Sequence, residues 1–100
     1  MGILKLSGNS KKKRRPSRKR MSLYLMNDNT NSFDNVIYTL TQYLPMCNIL
    51  RAEQIAMLVH NTGQCHIHTG YPPEIYVLYA QIQKTGLKVE LKLYKNENND

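Results

Sequence analysis

Chemistry in this chain would have to come from two cysteines, three histidines and one run of short polar residues, Asn27-Asp28-Asn29-Thr30-Asn31-Ser32. Cys65 and His66 are neighbours on a predicted strand, so their side chains leave on opposite faces and cannot form a nucleophile–base pair. His66 and His68 are expected on a common face, which could begin a metal site. No carboxylate or thiol stands at a spacing that completes one, so an exposed polar strand face is expected, with no metal and no cofactor. Cys47, beside Pro45 and Met46, reads as a small hydrophobe. With no catalytic pair in the pattern, a non-enzymatic protein is expected.

His60 is placed differently. It follows Val59, one turn after Ala56, at the edge of the apolar stripe of a predicted helix. The Asn27-Asp28-Asn29 triplet offers amide and carboxylate oxygens directly after a strand, where they can converge on a cation. Each feature alone has an ordinary reading, a half-buried surface histidine in one case and turn or capping chemistry in the other. If the first strand and the second helix pack side by side, these acceptors and His60 surround one small cavity with an apolar floor.

The elements that must do this positioning follow from hydropathy patterning. Residues 21–26 (MSLYLM) form a short apolar run closed by the six turn-formers, which predicts a strand and a tight loop. Phe33, Val36, Ile37, Leu40 and Leu44 mark one helix face, with Asn31 as expected N-cap, Asp34 as its acidic partner three residues on and Pro45 as terminator. A second helix is expected from the cap Asn48 through Ile49, Ala52, Ile55, Ala56 and Val59 to Gly63. Cys65, Ile67 and Thr69 alternate with Gln64, His66 and His68 as a strand. The Gly70-Tyr71-Pro72-Pro73 turn feeds a third helix with Ile75, Leu78, Tyr79 and Ile82 inward and Gly86 as its cap. Leu87, Val89, Leu91 and Leu93 alternate with Lys88, Glu90, Lys92 and Tyr94 as a half-buried strand. The order β-α-α-β-α-β predicts an α+β two-layer sandwich, a three-stranded antiparallel sheet covered by three helices.

Of 100 residues, 14 are Lys or Arg and 7 are Asp or Glu. Residues 1–20 hold nine of the bases and no acid, whereas residues 21–100 hold five bases against all seven acids, leaving +9 on the first segment and −2 on the remainder. Residues 1–20 are therefore expected to be a disordered basic tail, residues 21–94 the domain and residues 95–100 a frayed end. The tail only weakly resembles a transit peptide, and Leu6 spoils a myristoylation pattern. No apolar run is long enough for a membrane span. Two cysteines are too few for a disulfide framework and no secretory segment is evident, so a reducing cytoplasm is expected; a monomer is the default oligomeric state.

The Asn-Asp-x loop, the Phe33-Asp34-x-Val36-Ile37 helix start, Ala52-Glu53-Gln54, Val59-His60-x-x-Gly63 and the closing Gly86-Leu87-x-Val89, in that order over residues 21–93, resemble ClpS, the adaptor of the ATP-dependent Clp protease. The resemblance implies an adaptor that binds destabilising N-terminal residues (N-degrons: Leu, Phe, Tyr, Trp) and delivers substrates to the N-terminal domain of a ClpA- or ClpC-type unfoldase. It implies that Asn27, Asp28 and His60 contact the substrate's α-amino group and that Asn29 and Asn31 lie along the first peptide bonds. By the same resemblance Met26, Phe33, Val36, Ala56, Val59 and Leu87 line the side-chain pocket, and Glu74 takes part in unfoldase docking. The chain departs from the family pattern at Asn29, where Asp is usual, and at Ala56 and Phe33, where Met is usual. Ala56 should widen the slot and Phe33 narrow another side, so Trp and Phe are expected to bind at least as well as Leu.

Two other readings compete. One is a small nucleic-acid-binding protein that uses the tail for phosphate contacts; no aromatic pair is expected on a strand to serve as a stacking platform. The other is a degenerate ClpS-like protein that docks without gripping N-degrons.

Overall fold

A computed structural model describes residues 19–94. All of the expected basic tail except Lys19 and Arg20, and the whole of the expected frayed end, lie outside the described residues. The elements run β1 (Met21–Met26), α1 (Phe33–Tyr43), α2 (Ile49–Thr62), β2 (Gln64–Gly70), α3 (Glu74–Lys84) and β3 (Val89–Leu93). The sheet order is β2-β1-β3 with both pairings antiparallel, the α+β architecture that the periodicities predict.

The most apolar strand takes the centre, because a central strand loses water on both edges as well as on one face. Leu23 and Leu25 point from β1 into the core, where they meet Leu40 of α1, Ala52, Ile55 and Val59 of α2, Ile67 of β2, Ile75 and Ile82 of α3, and Val89 of β3. The predicted helix stripes supply this core with two exceptions. Phe33 stays 41 % exposed and Ile49 62 % exposed, because each opens its helix and stands at the rim of the layer.

Local signals set the helix boundaries. The N-cap of α1 is Ser32 and not Asn31: the Ser32 hydroxyl accepts from the Asn35 N–H at 3.1 Å, because the Asn31 amide is engaged elsewhere in the loop. Asn48 caps α2 by accepting from the Arg51 N–H at 2.9 Å. Gly63 ends α2 at φ 96°, a left-handed conformation that costs glycine nothing. Gly86, at φ 100°, follows the C-cap Thr85 of α3 and turns the chain into Leu87.

The alternation expected in β2 breaks at Ile67. Tyr24 pairs with His66 but Leu23 pairs with His68, a register shift that leaves Ile67 as an extra residue, as in a β-bulge. His66 therefore shares the outer face with Tyr24, whereas His68 joins Leu23 on the core side, so the two imidazoles are not on a common face as the simple alternation suggested. Cys65 lies opposite Leu25, on the face opposite to that of His66.

Burial pushes the His68 pKa below its ordinary value of 6.5, and repulsion from His66 and Arg51 pushes it the same way. The unfolded chain then takes up this proton more readily than the folded one. Stability is thus complete above the unfolded-state pKa and falls as the pH drops through it, levelling off below the folded-state value. We expect the urea midpoint of the wild type to fall more steeply between pH 7 and pH 5 than that of His68→Gln; equal slopes would contradict this assignment.

Candidate functional site

Asp28 organises the loop after β1. Its Oδ1 accepts from the backbone N–H of Thr30 at 2.9 Å and of Asn31 at 3.0 Å, and from the Thr30 hydroxyl at 3.1 Å. This is the side-chain-to-backbone closure that Asp favours in turns. The Asn31 Nδ2 reaches the other oxygen, Oδ2, at 3.2 Å. Partial burial would raise the Asp28 pKa, but the hydrogen bonds from Thr30 and Asn31 outweigh it and hold the carboxyl below the ordinary value of 3.8. The group is an anion at neutral pH, and Oδ2 keeps more unused acceptor capacity than Oδ1.

Asn31 ties this loop to the rest of the fold. Its Nδ2 also donates to the Gly86 carbonyl at 3.0 Å, and its Oδ1 accepts from the Asn35 Nδ2 at 2.6 Å. On the other side, the Asn27 N–H donates to the Gly63 carbonyl at 2.9 Å, and the Met26 N–H to the Lys88 carbonyl at 2.8 Å. The loop is thus fastened to the end of α2 and to the turn between α3 and β3.

These fastenings border a concavity open to solvent, about 430 Å³ with the open space at its mouth included. Leu25, Ala56, Val59 and Leu87 are its buried apolar residues. Met26, Phe33 and Val36 complete the apolar lining, and Asn27, Asp28, Asn31 and His60 supply its polar groups. The Phe33 ring stands edge-to-face against the His60 imidazole, centroids 6.1 Å apart at 80°, which fixes the orientation of an otherwise exposed side chain. The hollow therefore combines a carboxylate, two amide side chains and an imidazole with an apolar floor, a set suited to a cation that carries a greasy substituent.

The family described as ATP-dependent Clp protease adaptor protein ClpS matches residues 16–90. The chain belongs to the ClpS family. The family's description is that of an adaptor protein. Among solved structures, Agrobacterium tumefaciens ClpS2 bound to L-phenylalaninamide is similar, with a TM-score of 0.72 and 14% identity, over 78% of this chain and 100% of that one; at this identity the likeness is one of fold. No curated protein matches the chain.

Ten of the eleven residues that line the hollow are among those the resemblance to ClpS implies for the site; the eleventh, Leu25, is a core residue of β1 that also reaches the hollow. Asn29 is exposed and is not among the lining residues. Glu74, exposed at the start of α3, is not among them either. Asn35 and Gly86 were also missed, although both hold Asn31. The only sequence signal for Asn35 is its position four residues after Asn31, on the same side of the first helical turn.

Replacing Asn31 by Ala deprives Asp28 of a donor and leaves the Gly86 carbonyl without this partner. A loss of about 1–2 kcal/mol is expected in denaturant unfolding, together with faster hydrogen exchange at the Thr30 and Asn31 amides. Unchanged exchange at those two amides would refute the tethering role.

Proposed function

We propose that the hollow binds the free N-terminus of a polypeptide whose first residue is large and apolar, and that the chain presents such N-degron substrates to a ClpA- or ClpC-type unfoldase in the cytoplasm. The observation that carries this reading is the meeting of an anchored Asp28 carboxylate and the His60 imidazole with a buried apolar floor in one open concavity. An α-ammonium is a three-donor cation, and the Asp28 carboxylate, the Asn27 amide oxygen and an imidazole nitrogen of His60 supply three acceptors for it. The first side chain then enters the slot formed by Met26, Phe33, Val36, Ala56, Val59 and Leu87. Burying a Leu- or Phe-sized side chain there contributes roughly 1.5–3 kcal/mol. Asn29 and Asn31 flank the path of the first peptide bonds, the Oδ1 of Asn31 keeping one lone pair beyond its bond from Asn35.

The relative's ligand supports the reading, since L-phenylalaninamide offers a free ammonium and an aromatic side chain on one small scaffold. The substitution of Asn29 for the usual acid removes a charge near the ammonium, but Asn29 lies outside the lining, so the loss should affect affinity more than the mode of binding. Glu74, exposed and charged at the opening of α3, is the proposed contribution to unfoldase docking, and the adaptor acts as a monomer.

The test is titration of the purified protein with short fluorescent peptides that begin with Phe, Trp, Leu or Met, each with a free or an acetylated amino end. Free Phe and Trp peptides should bind at least as tightly as Leu, and acetylation should abolish binding. Asp28→Ala and His60→Ala should each weaken binding by about 10- to 100-fold, the cost of a hydrogen bond to a charged group. Binding that survives acetylation would sink the proposal, and a clear preference for Leu would refute the assigned shape of the slot.

A further inference from the structure

Leu87, a lining residue of the hollow, is followed directly by a cation, Lys88. The antiparallel register that sets Leu25 opposite Val89 carries on by one step and sets Met26 opposite Lys88, where the Met26 N–H donates to the Lys88 carbonyl at 2.8 Å. Directly opposed residues send their side chains out on one face, with Cβ atoms about 5 Å apart. Because Met26 lines the hollow, the Lys88 side chain starts at its lip. Lys88 is exposed, and its ammonium makes no hydrogen bond or ion pair with another described residue.

The other charges nearby are engaged or turned away. The Asp28 carboxylate accepts from Thr30 and Asn31 and, in the proposed complex, from the α-ammonium as well. Asn29 carries no charge. Asp34 follows Phe33 in α1, but Phe33 and Val36 share the side of the helix that lines the hollow, and an advance of about 100° per residue carries Asp34 round from Phe33 in the direction away from Val36. Lys92 is directed across the sheet, its ammonium 4.5 Å from the Tyr24 ring centroid and donating to the Gln64 Oε1 at 3.3 Å. Glu90 stands opposite Tyr24. Lys88 therefore adjoins the lining twice, next to Leu87 along the chain and beside Met26 across the strands, with no carboxylate of the described residues paired to it.

We propose that Lys88 forms a subsite for the second residue of the bound polypeptide and selects Asp or Glu there. The inference rests on the hollow holding a free N-terminus, as proposed above. With its ammonium at Asp28 and its side chain in the slot, the first residue leaves its carbonyl at the opening, and the second Cα follows about 3.8 Å from the first. The polypeptide then passes Asn31, whose Nδ2 donates to the Gly86 carbonyl at 3.0 Å, so residues 86–88 border its exit. A carboxylate on the second residue meets the Lys88 ammonium, whereas Lys or Arg at that place is repelled. Both partners stay in contact with water, so the selection amounts to about two- to fivefold for Asp over Ala and is screened by salt.

The test is titration of the purified full chain with three fluorescent peptides that begin Phe-Asp, Phe-Ala and Phe-Lys and are otherwise identical, in roughly 0.05 M and 1 M salt. Wild type should bind them in that order of decreasing affinity at low salt and nearly alike at high salt. Lys88→Gln should level the three affinities and Lys88→Glu should reverse their order, while Phe-Ala binds both variants as it binds wild type. Lys92→Gln removes the same charge from the same strand and should keep the wild-type order. Equal affinity of wild type for Phe-Asp and Phe-Lys, or an unchanged order in Lys88→Glu, would overturn the subsite. An equal loss of selection in Lys88→Gln and Lys92→Gln would trace it to net charge and overturn the subsite too. If Phe-Ala with a free amino end does not bind at all, the reading of the hollow itself fails and the subsite with it, an outcome distinct from binding that ignores the second residue.

Discussion

A single carboxylate, that of Asp28, holds the polar half of the site in shape. By accepting from the Thr30 and Asn31 amides it closes the loop on itself, and by engaging the Asn31 side chain it recruits a residue that reaches across to Gly86. A loop of short polar residues has little apolar area with which to offset the entropy of ordering. Here hydrogen bonds to an anion replace that area, and the Asn27–Gly63 backbone bond supplies the second point of attachment. The arrangement leaves the acceptors of the hollow oriented before any ligand arrives, which reduces the ordering cost of binding.

The apolar half depends on a different constraint, the central place of β1. Because β1 pairs on both edges, its end at Met26 is fixed relative to β2 and β3 together, and the loop after it starts from a rigid point. Leu25 shows the economy of the design, since one side chain belongs to the sealed core and also lines the hollow. Ala56 and Val59 do the same from α2.

Much of this was legible from hydropathy periods and turn residues. The stripe from Ala52 to Val59, the cap at Asn48 and the glycine after α2 each rest on a local signal that tertiary packing reinforces. The departures share one cause, which is that pairwise tertiary contacts overrule local rules. Asn31 looks like a helix cap until Asp28 and Gly86 claim its amide, and Ser32 then takes the cap. The period-two pattern of β2 runs unbroken in the sequence, yet the pairing with β1 inserts Ile67 as an extra buried residue and exchanges the faces of His68 and Thr69. A bulge of this kind has no composition signature at Ile67. The contacts of Lys92 with the Tyr24 ring and of Arg20 with the Tyr94 ring were hidden for the same reason, because each pair meets only once β1 and β3 are aligned.

The edge-to-face contact between Phe33 and His60 joins two tasks that would otherwise be separate. One side chain sets how wide the apolar opening is, and the same side chain steadies the imidazole beside the carboxylate. Any exchange at position 33 that reshapes the opening also loosens its neighbour, so under the proposed function size selectivity and charge recognition are not independently adjustable.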